Sequence, residues 1–195
     1  MSKIIKSIYF YFRLSILPIK EINKNIPKDG VILDLGCSYG ALAIILARLS
    51  KNRKVYGWDL DKKKLKMAKG SLKRDRNVFF VSKDVIQDKY PESSGILASD
   101  LLHHLPKEQQ EMVIKKAYKA LTKNGVFVLK EVDKEDWIRS SMSRTWDKVL
   151  YPKDKIYYRT KNEWTKILRR EGFRVSSENL IPWLPNSTRL FICTK

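Results

Sequence analysis

Cysteines, histidines, glycines and acidic residues are all scarce in this chain, and each shortage excludes something. Among 195 residues there are two cysteines, Cys37 and Cys193, far apart and without a CxxC pair. That argues against a disulfide framework or a cysteine zinc site, and it suits a reducing compartment. The two histidines, His103 and His104, are adjacent, so metal-ligand spacing is missing and no metal is expected. With eight glycines the chain has neither a GxxxxGK[ST] segment nor a GxGxxG fingerprint. A phosphate-cradling loop is thereby excluded, and a dinucleotide site is disfavoured. The most apolar stretch, residues 4–19, is short for a bilayer span and carries Arg13 at its centre. No small-residue cleavage site follows it, as a signal peptide would require.

Acid is the largest deficit. Twenty-one Asp and Glu stand against 40 Lys and Arg, a formal net charge of +19 with a pI near 9.9. Such a field attracts polyanions: nucleic acid, an anionic membrane surface or an acidic substrate. Length and the 43% hydrophobic content suit one domain with a substantial core.

What is present falls into an arm and a domain. In residues 1–28, helical spacing puts Ile5, Ile8, Tyr9, Phe12, Ile16 and Ile19 on one side, with Lys6 and Arg13 elsewhere. An amphipathic helix packed on the domain and one lying on a membrane interface both satisfy this pattern. Packing is favoured, with Pro18 ending the segment. From residue 29 the pattern alternates. Strands are expected at Val31–Leu35, Val55–Trp58, Val78–Val81, Gly95–Ser99 and Val126–Leu129, with helices at Ala41–Ser50, Asp61–Lys73 and Lys107–Leu121. That order predicts an α/β domain with a parallel sheet and helices on both faces. Residues 134–160 break the rhythm as an aromatic and basic insertion. A helix at Lys161–Glu171, capped by Gly172, and strands at Phe173–Ser176 and Thr188–Thr194 complete the chain.

The segment VILDLGCSYGALAIILA, Val31–Ala47, is a buried strand running through a glycine-bearing turn into an apolar-striped helix. Backbone N–H groups at such a helix start hold a polar or anionic cofactor end. Asp34 offers a carboxylate to a cationic group, and Asp59 in KVYGWDLD stands at a strand end suited to a ribose diol. Together these describe a nucleoside-cofactor site.

DLGCSYG resembles the DxGxGxG turn of class I S-adenosylmethionine-dependent methyltransferases. The resemblance continues in order through VYGWDLDKKKLKMA, VSKDV, GILASDLLHHLP, NGVFVLKEVD and EWTKILRREGFRV, over about residues 29–195. It implies a Rossmann-like, doubly wound, seven-stranded and mostly parallel sheet whose last strand is antiparallel. It also implies S-adenosylmethionine as cofactor and S-adenosylhomocysteine as product. Asp34, Gly36, Cys37, Ser38 and Gly40 would surround the methionine part. Asp59 would accept from the ribose hydroxyls with Leu60 against the adenine. Asp84 would accept from the adenine amine with Val85 beside the ring. Ser99 and Asp100 would line the floor near the sulfonium. Ser38 stands where the family's middle glycine is usual, so reshaped cofactor binding is expected there.

His104, then His103, are the candidate general bases, because they follow the fourth strand near where the methyl emerges; Asp100 is the third catalytic candidate. The absence of an NPPY-type segment argues against methylation of an exocyclic adenine or glutamine amide. The resemblance leans to the small-molecule and quinone- or lipid-type branch. The expected function is methyl transfer to a small or lipid-like acceptor in the cytoplasm, with docking at the inner face of an anionic membrane. Two alternatives stay open. One is RNA methylation using basic residues 62–76 and the basic, aromatic region of Tyr157, Tyr158, Trp164 and Trp183. The other is a non-catalytic cofactor-binding relative.

Overall fold

The computed structural model describes residues 17–72, 75–134, 155–180 and 188–195. The apolar stripe of residues 5–16, most of the aromatic insertion, Lys73, Arg74 and Trp183 lie outside them. Pro18 stands at the N-cap of a short helix, α1 (Ile19–Asn25), so this proline opens a helix. Ile22 of α1 and Ile26 after it are buried in the core.

Strand and helix then alternate as β1 (Gly30–Leu35), α2 (Ala41–Leu49), β2 (Arg53–Asp59), α3 (Lys62–Gly70), β3 (Val78–Ser82) and β4 (Ser93–Ser99). A 3-10 turn (Leu102–His104) leads into α4 (Lys107–Ala120), followed by β5 (Leu121–Val132), α5 (Lys161–Arg170), β6 (Arg174–Asn179) and β7 (Thr188–Thr194). The strands form one seven-stranded sheet in the order β3-β2-β1-β4-β5-β7-β6. The first five are parallel, and β7 runs antiparallel between β5 and β6. The Rossmann-like sheet with a reversed final strand is therefore the fold of this chain.

Two apolar layers sandwich the sheet. Residues of α1, α2 and α3 bury Ile22, Leu42, Leu46, Leu65 and Ala68 against Val55, Val78 and Phe80 on one face. On the other, Val113, Ile114 and Ala117 of α4 and Trp164, Ile167 and Leu168 of α5 meet Ile96, Phe127 and Phe191. The apolar stripe of α2 stops short of expectation. Leu49, at its last position, is 51% exposed as the helix ends. A second difference is in β5, which begins at Leu121 rather than Val126. Asn124–Gly125 is an irregularity within the strand, with Asn124 at φ 62. Pairing with β4 jumps there from Ser93↔Leu121 to Gly95↔Val126, and Asn tolerates the left-handed region the jump requires.

Arg53 fastens the first layer. It is 1% exposed, and its guanidinium donates to Pro27 O, Asn23 Oδ1, Leu46 O and Ile26 O at 2.7–3.3 Å. Burial pushes its pKa down, and the planar fork is what joins α1, the loop after it and α2 to the start of β2. Arg53→Met leaves those acceptors without their donor. It should lower unfolding free energy by about 3 kcal/mol, read as a lower urea midpoint with unchanged m.

Candidate active site

Chain direction creates the cleft. From β1 the chain leaves through α2 to β2 on one side, whereas from β4 it leaves through α4 to β5 on the other. Adjacent β1 and β4 are therefore the switch point of an open α/β sheet, where a ligand site opens beyond the carboxyl ends of the strands. The structure brings the sequence-derived candidates to that edge. Asp34 lies near the end of β1, Asp59 and Leu60 at the end of β2, Asp84 and Val85 after β3, and Ser99 and Asp100 after β4. His103 and His104 sit in the 3-10 turn that follows.

The turn after β1 takes the left-handed conformation three times, at Gly36 (φ 67), Ser38 (φ 52) and Gly40 (φ 75). Gly40 has the strictest requirement, because a Cβ there would run into the Phe80 ring and stand 2.9 Å from Ala68 Cβ. Ser38 adopts the conformation natural to glycine, at a strain of about 1–2 kcal/mol. Its N–H donates to Asp59 Oδ2 at 2.8 Å, and Asp61 N–H donates to Asp59 Oδ1 at 2.8 Å. Asp59 thus ties the end of β2 to the turn after β1, and each oxygen keeps a lone pair for a further donor. Asp34 is 2% exposed. Between these acids lies the Cys37 thiol, pushed well above its ordinary range by burial and by the negative fields of Asp34 and Asp59.

Beside the turn opens a cavity of about 360 Å³. Gly36, Asp59, Leu60, Asp84 and Val85 line it, joined by Ile86, Leu101, Leu105 and Gln109, which sequence reasoning did not single out. The remaining candidates stand on the surrounding turns. Asp84 accepts from Ile86 N–H at 2.7 Å through Oδ1, and its own N–H donates to Asp88 at 2.7 Å. Lys116 of α4 secures that loop from behind, donating to Ile86 O and Asp88 O at 2.7 Å each.

The wall beyond β4 is organised by charges at the end of β5. Glu131, 1% exposed, accepts from Leu101 N–H (3.2 Å) and Leu102 N–H (2.7 Å) and holds His103 Nδ1 at 2.6 Å. His103 is buried, its ring centroid 4.3 Å from that of His104 and 5.4 Å from that of Tyr158. His104 is half-buried. Lys130, 3% exposed, forms a bidentate pair with Asp100 at 2.7 Å to both oxygens, and Asp100 itself is left-handed at φ 53. Two positions on, Asp133 accepts from Lys161 N–H and Arg189 Nε, while Arg159 donates to Gln110 and Glu111. Lys130, Glu131 and Asp133 went unnoticed in the sequence, although three charges closing an apolar strand, VFVLKEVD, were the available signal. The expected basic and aromatic face of residues 157–174 needs correction. Tyr158, Arg159 and Trp164 are buried, because Trp164 lies on the apolar stripe of α5 and Arg159 is engaged by α4.

Residues 32–125 match the family described as a methyltransferase domain. Over that stretch, just under half of the chain, the sequence is similar to methyltransferase domains, and the sheet around it has the topology that the resemblance to class I S-adenosylmethionine-dependent methyltransferases implies. Its curated relatives include carboxy-S-adenosyl-L-methionine synthase of Helicobacter pylori (strain J99 / ATCC 700824), 33% identical over 122 residues, 62% of this chain and 50% of that one. The chain thus spans about half the length of the curated relatives it matches. Human N-acetylserotonin methyltransferase in complex with SAM superposes with TM-score 0.73 at 17% identity, covering 92% of this chain and 52% of that one. Magnesium protoporphyrin IX methyltransferase of Synechocystis PCC 6803 with bound SAH gives 0.73 at 18%, covering 100% and 88%. At these identities the structural likeness speaks for the fold.

Two outcomes follow from the methyltransferase turn. Gly40→Ala combines backbone strain with overlap on Phe80, so it should destabilise by about 3 kcal/mol in urea unfolding. Cys37 and Cys193 keep their protons in the folded state above the ordinary thiol value of 9.0. The unfolded chain releases those protons first, so stability should fall as pH rises past about 9, by up to roughly 1.4 kcal/mol per pH unit for each thiol. Cys37→Ala should flatten that decline in urea titrations between neutral and alkaline pH.

Proposed function

We propose that the cleft binds S-adenosylmethionine and that the chain transfers its methyl group to a small or lipid-like acceptor, releasing S-adenosylhomocysteine. The observation that carries this reading is the ring of strand-end carboxylates around one cavity, Asp59 and Asp84 within it and Asp34 beside it, in a class I methyltransferase domain. The donor and acceptor chemistry supports the fit. A ribose diol and an exocyclic amine are donors, and both Asp59 and Asp84 retain acceptor capacity. The Gly36–Gly40 turn and Asp34 surround the methionine part, with Asp34 facing its ammonium. Leu60 and Val85 flank the adenine. Ser99 and Asp100 form the floor, and Lys130 fixes the Asp100 carboxylate in a positioning role.

The cofactor supplies an electrophilic methyl on a sulfonium. The chain's task is to align the acceptor in line, exclude water and take a proton where the acceptor carries one. His104 is assigned that proton, at its imidazole. His103 backs it as a positioning residue, fixed by Glu131 and packed against the His104 ring at a tilt of 40°. Leu101 and Leu105, in the segment leaving β4, give that side of the cavity an apolar lining, which supports an acceptor with an apolar body.

The names of the curated relatives favour a second reading, in which the cofactor itself is carboxylated. Mass analysis of the cofactor after turnover separates the two. S-adenosylhomocysteine marks methyl transfer, whereas a carboxylated sulfonium marks the second reading.

The test is transfer of labelled methyl into a cell extract separated into lipid, RNA, protein and small-molecule fractions. Label is expected in the lipid or small-molecule fraction. Asp59→Ala should weaken cofactor binding roughly tenfold or more by calorimetry. His104→Ala should lower kcat by about 10²-fold or more while leaving cofactor affinity unchanged. Label in RNA overturns the acceptor class. Cofactor binding with neither label in any fraction nor a carboxylated cofactor makes the chain a non-catalytic relative.

A further inference from the structure

The connection from β3 to β4, residues 83–92, contains no helix, whereas those from β1 to β2, β2 to β3 and β4 to β5 each do. Among the described residues the outer strands β2 and β3 therefore have no covering helix on the face that α4 and α5 cover elsewhere. On that face Tyr56 and Phe79, partners in the β2–β3 register, stack with ring centroids 5.3 Å apart and planes at 27°. Lys54 Nζ stands 5.5 Å from both ring centroids. Phe79 is 39% exposed, which a solvated sheet edge does not call for.

The surface continues toward a second opening. Trp58, two residues along the same strand face, holds Tyr90 edge-on at 5.4 Å. Beside Tyr90 lies a cavity of about 420 Å³ edged by Lys89, Lys116, Lys119 and Glu92. Lys116 is engaged by loop carbonyls and by the Tyr90 ring, 4.7 Å away. Lys89 and Lys119 are exposed, and neither they nor Lys54 form an ion pair among the described residues. Tyr56 and Phe79, with Lys54 beside both rings, can thus accept a flat partner, and Lys89 and Lys119 stand beyond the buried Trp58 and Tyr90, on a chain of net charge +19.

We infer that this face binds single-stranded nucleic acid, with bases stacking at Phe79 and Tyr56 and phosphates meeting Lys54, Lys89 and Lys119. Each ingredient matches that chemistry: base–aromatic stacking is tolerant of sequence, and the lysines follow a backbone electrostatically. A second copy would bring like charges together. Leu17 and α1, the first described residues, pack into the opposite layer. An acidic peptide would satisfy the lysines but leave the rings unused. Tyr56 stands at the middle of β2 and Phe79 second in β3, and neither lines the cavity at the carboxyl ends, so this inference stands apart from the proposed methyl transfer.

Fluorescence anisotropy of a short labelled oligouridylate against the full chain tests it. Affinity should fall with salt along a log–log slope of about −2, as release of counterions at three lysines requires. Phe79→Ala should weaken binding roughly tenfold, and Phe79→Tyr should retain it. Lys54→Glu, Lys89→Glu and Lys119→Glu together should abolish binding at about 50 mM salt. The same charge change on α3, at Lys62, Lys63 and Lys66, should cost far less. Cofactor affinity and the urea midpoint serve as folding controls for every variant. An unchanged affinity in Phe79→Ala, equal loss from the α3 triple, or equally tight binding of oligoglutamate overturns the assignment.

Discussion

A carboxylate without water decides much of this molecule's shape. Glu131 is buried at the end of β5, and a buried charge survives only where donors surround it. Its donors are the Leu101 and Leu102 N–H groups and His103 Nδ1, all in the segment leaving β4. Satisfying one acid therefore folds the 3-10 turn, seats His103, and sets the direction from which α4 starts. Next to it, Lys130 does the complementary work on Asp100 and holds that residue in a left-handed conformation. Tyr157 N–H then bonds to His103 O, and Gln110 bonds to both Leu105 O and Tyr157 O, so the acceptor-side wall is one connected network.

The wall that carries Asp59 and Asp84 follows a different logic, in which backbone amides face carboxylates. Asp59 accepts from the turn after β1 and from its own following residue, and Asp84 accepts from the loop it begins. These acids are held in place before any ligand arrives, which reduces the ordering that binding must do. The same arrangement keeps Cys37 a neutral thiol, because two acids and burial oppose its ionisation. Lys116, reaching from α4 to the carbonyls of Ile86 and Asp88, ties the loop after β3 to the helix beside it in the same apolar layer.

The surplus of positive charge is distributed unevenly. On α3, Leu65 and Ala68 are buried while Lys62, Lys63, Lys66 and Lys69 face water, an ordinary solvated helix face. In the C-terminal third, Arg159 is buried in bonds to Gln110 and Glu111, and Arg170 is also paired with Glu111. Among the described residues neither run presents an exposed ring. The lysines near Tyr56 and Phe79 do, because the chain passes from β3 to β4 without a helix. Charge alone is weak evidence for a partner; charge beside exposed rings on an open sheet is stronger.

Periodicity along the chain was enough to determine the alternation of strand and helix, the apolar layers and the turn at Gly36–Gly40. These are local properties of side-chain spacing and glycine conformation. It also located Asp34 and Asp59 at strand ends, since each follows directly on apolar residues, whereas Asp84, two residues beyond its strand, was reached through the family resemblance. Only the tertiary structure decided which acids are engaged, and with what. The bonds of Ser38 to Asp59, His103 to Glu131 and Asp100 to Lys130 join residues 21, 28 and 30 positions apart, and spacing along the chain carries no record of such pairings. Burial of Tyr158 and Trp164, and exposure of Phe79, depended likewise on which helices cover which strands. An aromatic residue reads the same in sequence whether a helix lies over it or not, and that coverage is settled only when the whole sheet is assembled.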